Sequence, residues 1–402
     1  MSTYKIGLFG FGCVGQGLYE TLLKNERVNA EIVKICVKDA SKERPIAEDI
    51  FVYNPNDILD DKNIDLVVEL IDDAETAFGI VSKALSKGKK VVSANKKMVA
   101  ERLSELIELQ KEHNTPLLYE GAVCGSIPII KVLDEYYALE EVNEIKGIFN
   151  GSTNYILTKV IEEKKSYQEA LKAAQDNGFA ESDPTLDVEG YDPKYKLAIV
   201  LQHTFGLSIH PKRIFNQGIQ NITQADISFA AERGLKIKLL ARAVRNGDEI
   251  TAFVAPQFVT SEGSLFHIEN EYNAALIDGN FASEQVLVGK GAGKLPTGLA
   301  VLSDVAAITT GYSYRYIDHS NELGFTYSEE EVYVSFEHEA IIDFNLFTTI
   351  SEKYVGRKSG YVIGEINLEK LRKLTQQPGV NVIFTSGAKE EIEIHRLSYS
   401  YA

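Results

Sequence analysis

The stretch Tyr4-Lys-Ile-Gly-Leu-Phe-Gly-Phe-Gly-Cys-Val-Gly15 decides the fold. A short apolar run, Tyr4–Gly10, ends in Gly10-Phe-Gly12-Cys-Val-Gly15, which has G-x-G-x-x-G spacing, and Val14–Asn25 continues with helical periodicity. The bare pattern is common; strand, glycines and helix in that order point to a dinucleotide. Gly10 permits the tight turn, Gly12 lets the backbone approach a pyrophosphate, and Gly15 allows helix and strand to pack closely. The helix start adds N–H groups and the positive end of its dipole. Gly10, Gly12, Cys13, Val14 and Gly15 are the candidate phosphate-binding residues.

The flanking sequence agrees. Glu31–Val37 alternates as a strand, Ile64–Ile71 is a continuous apolar run, and Lys90–Ala94 and Pro116–Gly121 are further strands. Between them, Thr76–Lys89 places Ala77, Ile80, Val81, Ala84 and Leu85 on one helical face, and Lys97–His113 is another helix. Apolar strands alternating with amphipathic helices predict an α/β, Rossmann-type, doubly wound parallel sheet over residues 1–127. The second strand ends in Lys38-Asp39, with Lys42 and Arg44 beyond. An acid there serves a ribose hydroxyl of NAD, whereas Lys38 could pair a 2′-phosphate; the reading leans to NADP over NAD.

The pattern changes at Pro128. Helical stretches at 128–139, 166–178 and 192–206 separate longer strands at Glu141–Asn150, Ala274–Gly279 and Gln285–Val288. Lys236–Arg245 and Glu249–Val259 flank Asn246-Gly-Asp248, a hairpin signal. Residues 128–295 therefore read as an α+β domain with a mostly antiparallel sheet. Thr297–Thr310 is a helix expected to return to the first domain, within a segment spanning 296–314, and 315–330 reads as a linker. Residues 331–402 read as a small third α+β block: strand 332–337, helix 343–353, strand 360–367, helix 368–377, strands 380–385 and 391–398.

Composition narrows the partners. The chain has 402 residues, 44% hydrophobic and 25% charged, with a net charge of −16. That balance argues against nucleic acid or an anionic membrane as a bulk partner and leaves room for a small anion. Three cysteines, an odd count without C-x-x-C spacing, argue against a disulfide scaffold and a cysteine zinc site. The N-terminus lacks a signal-peptide layout and no run of about 18 apolar residues occurs, so the reading is a soluble, cytoplasmic protein. The Asn150-Gly-Ser152 and Asn221-Ile-Thr223 sequons are then chance matches.

Four segments carry candidate chemistry. Ser93-Ala-Asn-Lys96-Lys97 follows the fourth strand, at the carboxyl edge where open α/β sheets bind ligands. Glu120-Gly-Ala-Val-Cys-Gly-Ser-Ile127-Pro128 combines one carboxylate with a tight, carbonyl-exposing loop, a donor set suited to a hard cation. Gly178 to Lys196 holds five carboxylates between 181 and 192. There Asp192 stands where a helix cap is wanted, and Lys196 lies four residues on along the same face. That arrangement suits a cationic amino group beside a lysine placed for proton transfer. Gly289-Lys-Gly291-Ala-Gly293-Lys294 imitates a P-loop but lacks its spacing and final hydroxyl, and fits a loop near the cofactor instead.

These segments, with Gly147-Ile-Phe-Asn-Gly-Ser-Thr-Asn-Tyr-Ile-Leu157 and Pro296-Thr297, come in the order and spacing of one family. The chain resembles homoserine dehydrogenase over residues 4–312. The resemblance implies reversible, NAD(P)-dependent interconversion of L-homoserine and L-aspartate 4-semialdehyde, in threonine, methionine and isoleucine biosynthesis. It implies that Glu181 and Asp192 hold the amino-acid substrate, that Lys196 carries the proton, and that Lys96 assists at the substrate and nicotinamide. It places Lys38, Ser93, Lys96 and Gly291 with the glycine loop at the cofactor. It also implies a sodium ion at Glu120, Val123, Gly125 and Ile127, and makes the α+β block 128–295 a substrate and dimerisation domain through which a homodimer or higher homo-oligomer forms. Asp72-Asp73 departs from it, because the family often has glycines there. Residues 331–402 would correspond to an ACT-like regulatory block, with β-α-β-β-α-β order. Two other readings stay open: a non-catalytic NADP-binding sensor, and a dehydrogenase of another amino-acid semialdehyde.

Overall fold

The computed structural model describes residues 3–337, 342–357, 359–385, 388 and 392. They form two compact units: Met1–Glu140 with Ala198–Pro211 and Gly289–His319, and Glu141–Leu197 with Lys212–Val288 and Ser320–Ala402.

The first unit holds six strands: β1 (Tyr4–Phe9), β2 (Ala30–Cys36), β3 (Phe51–Val52), β4 (Leu66–Glu69), β5 (Lys90–Ser93) and β6 (Leu117–Leu118). They pair in parallel, in the order β3-β2-β1-β4-β5-β6, the doubly wound arrangement expected. All of β4 is buried, which is why Leu66-Val67-Val68 reads as a continuous apolar run rather than an alternating one. β3 escapes sequence reading because two residues carry no periodicity.

Helices Cys13–Leu23, Ala74–Ser86 and Lys96–His113 alternate with these strands. Asp73 caps the second, accepting from the Thr76 N–H at 2.9 Å, so the departure at Asp72-Asp73 serves a helix start. The returning helix runs over Lys294–Thr309 and crosses Cys13–Leu23 at glycines. A Cβ on Gly17 would lie 1.9 Å from the Lys294 carbonyl oxygen, and one on Gly298 2.4 Å from the Gly17 carbonyl carbon. Lys294 also pairs with Glu20 across the crossing.

The helix expected at 128–139 is broken into an α-turn (Ile129–Lys131), a wide π-turn (Val132–Tyr136) and a 3₁₀ turn (Tyr137–Leu139). Asp134, on the wide turn, is buried and accepts from Tyr312 Oη at 2.7 Å and the Arg315 N–H at 3.0 Å.

The second unit is built on an eleven-stranded sheet. Its strands are β7 (Val142–Ile148), β8 (Phe215–Asn216), β9 (Lys236–Asn246), β10 (Glu249–Val259), β11 (Tyr272–Gly279), β12 (Ser283–Lys290), β13 (Gly324–Phe325), β14 (Glu329–Glu337), β15 (Thr349–Val355), β16 (Ser359–Asn367) and β17 (Val380–Phe384). Nine of them run in the order β12-β11-β7-β9-β10-β17-β14-β16-β15, with β8 and β13 also pairing β10. The hairpin expected at Asn246-Gly-Asp248 is present, with Glu249 opposite Asn246 and Gly247 at φ +63°. Helices Gly151–Glu162 and Gln224–Glu232 carry no counterpart in the sequence reading.

The C-terminal block differs most from expectation. No helix spans 343–353: Phe344–Leu346 is a 3₁₀ turn and Thr349–Val355 is β15, antiparallel to β16 at the sheet edge. Thr349, Ile350, Tyr354 and Val355 favour a pleated strand over a helix. The β-α-β-β-α-β order is therefore not found among the described residues, which run β14, β15, β16, a helix at Leu368–Leu374, then β17. The strand expected at 391–398 lies outside the described residues but for Ile392. Instead of standing apart, the block extends the second unit's sheet. β17 joins β10 in parallel at Gln257 and Phe384, and Phe253 stacks on Phe384 with centroids 4.4 Å apart. One apolar core unites Phe215 and Phe253 with Val332, Val362, Leu371 and Val382.

Candidate functional site

The first unit carries a cleft of about 700 Å³ over the carboxyl ends of β1 and β2. Gly10, Gly12, Cys13 and Val14 line it, opposite Leu70, Ile71, Asp72 and Asp73. Gly10 is left-handed at φ +89°, and a Cβ there would sit 2.5 Å from the Leu70 carbonyl oxygen. A Cβ on Gly15 would meet the Gly10 carbonyl oxygen at the same distance, whereas Gly12 faces open space. Gly12 is also the N-cap of Cys13–Leu23, with no side chain closing the helix end and no acid in the first turn. Exposed N–H donors, the dipole's positive end and open space are what a pyrophosphate requires.

Lys38, Asp39, Lys42 and Arg44 line the same cleft. Asp39 accepts from the Ser41 N–H at 2.8 Å and the Ser41 hydroxyl at 2.7 Å, bonds that hold its carboxyl below the usual range. Its side chain is engaged in a local turn. Arg44 donates to the carbonyls of Lys42 and Asp39 and stacks on Phe51.

At the carboxyl edge, Ser93 is fully buried. Its hydroxyl donates to Glu69 Oε2 at 2.6 Å and accepts from the Asn95 N–H at 3.1 Å. Asn95 caps Lys96–His113, accepting from Met98 N–H at 2.9 Å, and Lys96, half-buried, opens that helix. Glu69, which the sequence reading passed over, is also fully buried; burial pushes its carboxyl up to about 7.

The second unit holds the polar cluster. Lys196 Nζ donates to Asp192 Oδ2 and to the Phe149 carbonyl oxygen, each at 2.7 Å. Asn150 Nδ2 donates to the same Asp192 oxygen at 2.8 Å and to Asp187 Oδ1 at 2.7 Å. Asn150 also caps Gly151–Glu162, accepting from Thr153 N–H at 2.9 Å. The side chains of Lys196 and Asp192 are 9% and 2% exposed. A buried ammonium with a carboxylate and a carbonyl as partners keeps one N–H for a reacting oxygen. The helix begins at Tyr191, so Asp192 lies in its first turn rather than at the expected cap, after Gly190 at φ +80°.

Comparison with known proteins fits this pairing of a dinucleotide cleft with a lysine–carboxylate cluster. Residues 10–120 match the family model described as homoserine dehydrogenase, NAD binding domain, and residues 128–306 match the homoserine dehydrogenase model. The homoserine dehydrogenase of Bacillus subtilis is 37% identical over 317 residues, covering 77% of this chain and 73% of its own. The chain belongs to the homoserine dehydrogenase family.

Solved structures agree. A homoserine dehydrogenase from Thiobacillus denitrificans superposes with a TM-score of 0.82 at 28% identity, covering 96% of this chain and 98% of its own. A hyperthermophilic archaeal homoserine dehydrogenase mutant in complex with NADPH matches at a TM-score of 0.66 and 27% identity, covering 78% of this chain and 99% of its own. This chain is accordingly an NAD(P)-dependent oxidoreductase with homoserine dehydrogenase activity.

Against the residues that a homoserine dehydrogenase would use, the structure is selective. Asp192 and Lys196 are brought together, and Asp187 and Asn150 join them unannounced. Glu181 is exposed in the loop before Thr185–Val188, where its backbone carbonyl accepts from Gln175. Ser93 turns its side chain away from solvent, which leaves only its backbone to meet a ligand. In the Glu120 loop, Cys124 and Gly125 are both left-handed at φ +53°. Gly125 packs so tightly on Gly291 that a Cβ would lie 2.6 Å from its carbonyl oxygen, and Ser126 N–H donates to the Lys290 carbonyl at 3.0 Å.

Glu120 is buried and accepts from the Ile130 and Lys131 N–H groups at 2.8 and 2.9 Å; burial, with Asp304 beside it, pushes its carboxyl up to about 8. Val123 and Ile127 are buried too, and the Ile127 carbonyl accepts from Ile129 N–H at 2.8 Å. Among the described residues, no group of three His, Cys, Asp or Glu side chains could hold a metal ion, and no helix is long and apolar enough to cross a membrane.

Proposed function

We propose that the first unit binds NADP(H) in preference to NAD(H), that the second unit binds L-homoserine, and that Lys196 is the proton carrier between the alcohol and L-aspartate 4-semialdehyde. The observation that carries this reading is the buried Lys196–Asp192–Asn150–Asp187 cluster. A bound nicotinamide supplies hydride acceptance or donation. Asp192 and the Phe149 carbonyl fix two of the Lys196 donors, so the third N–H gives its proton to the aldehyde oxygen, or regains it from the alcohol in reverse. Asp192, with Asp187 held beside it by Asn150, presents negative charge to the substrate ammonium, and the exposed Glu181 completes that recognition on substrate binding. Lys96 assists orientation at the nicotinamide.

The preference for NADP rests on Lys38, Lys42 and Arg44 around the cleft and on the engagement of Asp39 with Ser41. Glu120 with the backbone oxygens of Val123, Gly125 and Ile127 is an all-oxygen donor set on a loop with two consecutive left-handed residues; these residues would hold a sodium ion. Residues 1–127 with 296–314 serve as the dinucleotide-binding domain and 128–295 as the substrate domain. The enzyme works in the cytoplasm as a homodimer or higher homo-oligomer, serving threonine, methionine and isoleucine biosynthesis.

The test is absorbance at the NADPH band with homoserine and NADP⁺ against NAD⁺. Turnover with a higher kcat/KM for NADP⁺ is expected; no turnover with either cofactor sinks the assignment of these residues, and binding of NADPH without turnover would instead describe a sensor.

A further inference from the structure

We infer that Glu69 is a positioning residue for the nicotinamide half of the cofactor, acting through Ser93 and the loop Leu70–Asp73. The inference rests on the reading above, in which Lys96 assists at the nicotinamide, and on the resemblance that places Ser93 at the cofactor.

Glu69 ends β4 and Ser93 ends β5, and they are register partners in the parallel sheet. A strand that reads Leu66-Val67-Val68 needs only another apolar residue to complete its packing. The carboxyl that stands there is 0% exposed and has no cation within ion-pair distance among the described residues, an expensive placement for packing alone. Its two oxygens tie two separate loops together. Oε1 accepts from the Ile71 N–H at 2.7 Å, and Oε2 accepts from the Ser93 hydroxyl at 2.6 Å.

Each bond continues outward. On one side, Ile71 and its neighbours Leu70, Asp72 and Asp73 line the cleft, with Leu70 packed against Gly10 of the phosphate loop. On the other side, Ser93 Oγ accepts from the Asn95 N–H at 3.1 Å. Asn95 then caps the helix that Lys96 opens and donates from Nδ2 to the Ile71 carbonyl at 3.0 Å. The result is a closed ring, Glu69–Ser93–Asn95–Ile71, with Glu69 bonding to two of its members. Removing its carboxyl loosens the cleft wall and the Lys96 helix start together, while Gly10 keeps its N–H bond to the Cys36 carbonyl and Asp39, beside Lys38, keeps its bonds from Ser41.

The consequence is selective. In Glu69→Leu, an apolar side chain fills the strand end and accepts from neither group, so the Ile71 N–H and the Ser93 hydroxyl both lose their acceptor. Binding is followed by calorimetric titration with two ligands, NADPH and 2′-phospho-ADP-ribose, which lacks the nicotinamide. Glu69→Leu is expected to weaken NADPH about tenfold and 2′-phospho-ADP-ribose less than twofold, with the homoserine KM unchanged. Ser93→Ala removes the Oε2 bond from the other side; it should show the same selectivity, and the double variant should be no worse than Glu69→Leu alone. Equal loss for both probes, or no loss for either, overturns the inference even if wild-type binding is intact. Wild-type protein that binds neither probe overturns the reading beneath it, and the inference with it.

Discussion

Two buried carboxyls, one in each unit, show opposite solutions to the same problem. Asp192 shares its buried position with the Lys196 ammonium and the Asn150 amide. Glu69 has a hydroxyl and an amide N–H but, among the described residues, no cation, and burial raises it to about 7. In the proposed function, the paired carboxylate holds a lysine that moves a proton, and the unpaired one holds backbone at the cofactor. Burial alone therefore does not mark a catalytic group; the partner's chemistry does.

The sharpest way to break this contrast is to remove the cation. Lys196→Ala should lower kcat by about 10²- to 10⁴-fold, the range of acid–base catalysis, while NADPH affinity stays within twofold in a fluorescence titration. A kcat close to wild type would end the assignment of Lys196 as proton carrier.

The second test concerns stability and pH. The Glu69 carboxyl keeps its proton up to about 7 in the folded chain, against 4.5 in its absence. The folded state therefore binds the extra proton across that window, and stability falls as pH rises from 4.5 to 7, then levels. At about 1.4 kcal/mol per pH unit, the fall attributable to Glu69 is on the order of 3 kcal/mol. Denaturant midpoints of the cofactor-free protein at pH 5 and pH 7.5 should differ less in Glu69→Gln than in wild type. Equal differences would show that Glu69 does not titrate as placed.

The smallest effect is expected at the rim of the cleft. Lys38→Ala should reduce kcat/KM for NADP⁺ by about tenfold relative to NAD⁺, as loss of one exposed charge-assisted contact to a phosphate would. An unchanged cofactor ratio would remove Lys38 from the 2′-phosphate.

Much of this was legible in the residues themselves, and the exceptions have physical causes. The glycine loop was readable because each glycine answers a steric demand set by local geometry, as the close approaches at Gly10 and Gly15 show. Asp192 and Lys196 were readable because helical spacing brings positions four apart together. Asn150 was missed because it ends a strand and begins a helix, and its amide reaches Asp187 and Asp192 only in the folded chain. The Asn150-Gly-Ser-Thr153 pattern, a cap residue three before a hydroxyl, was its available signal. Among five carboxylates between 181 and 192, no periodicity distinguishes the inward Asp187 from the exposed Glu181. Glu69 left a plainer trace, a single acid ending an apolar run. Thr349–Val355 was misread because a charged, amphipathic stretch mimics a helix, while its β-branched residues and the waiting edge of β16 favour a strand.

The parallel junction of β17 with β10 bears on how the chain reaches this structure. Phe384 must find Gln257 across 127 intervening steps of chain, and the Phe253–Phe384 stack and the shared core form only then. During synthesis, the Gln257 end of β10 and the β17-facing edge of β14 stay unpaired until β17 arrives between them. Assembly of the second unit is thus a late, long-range event, and a nascent chain halted before residue 380 is the species most exposed to edge-to-edge aggregation.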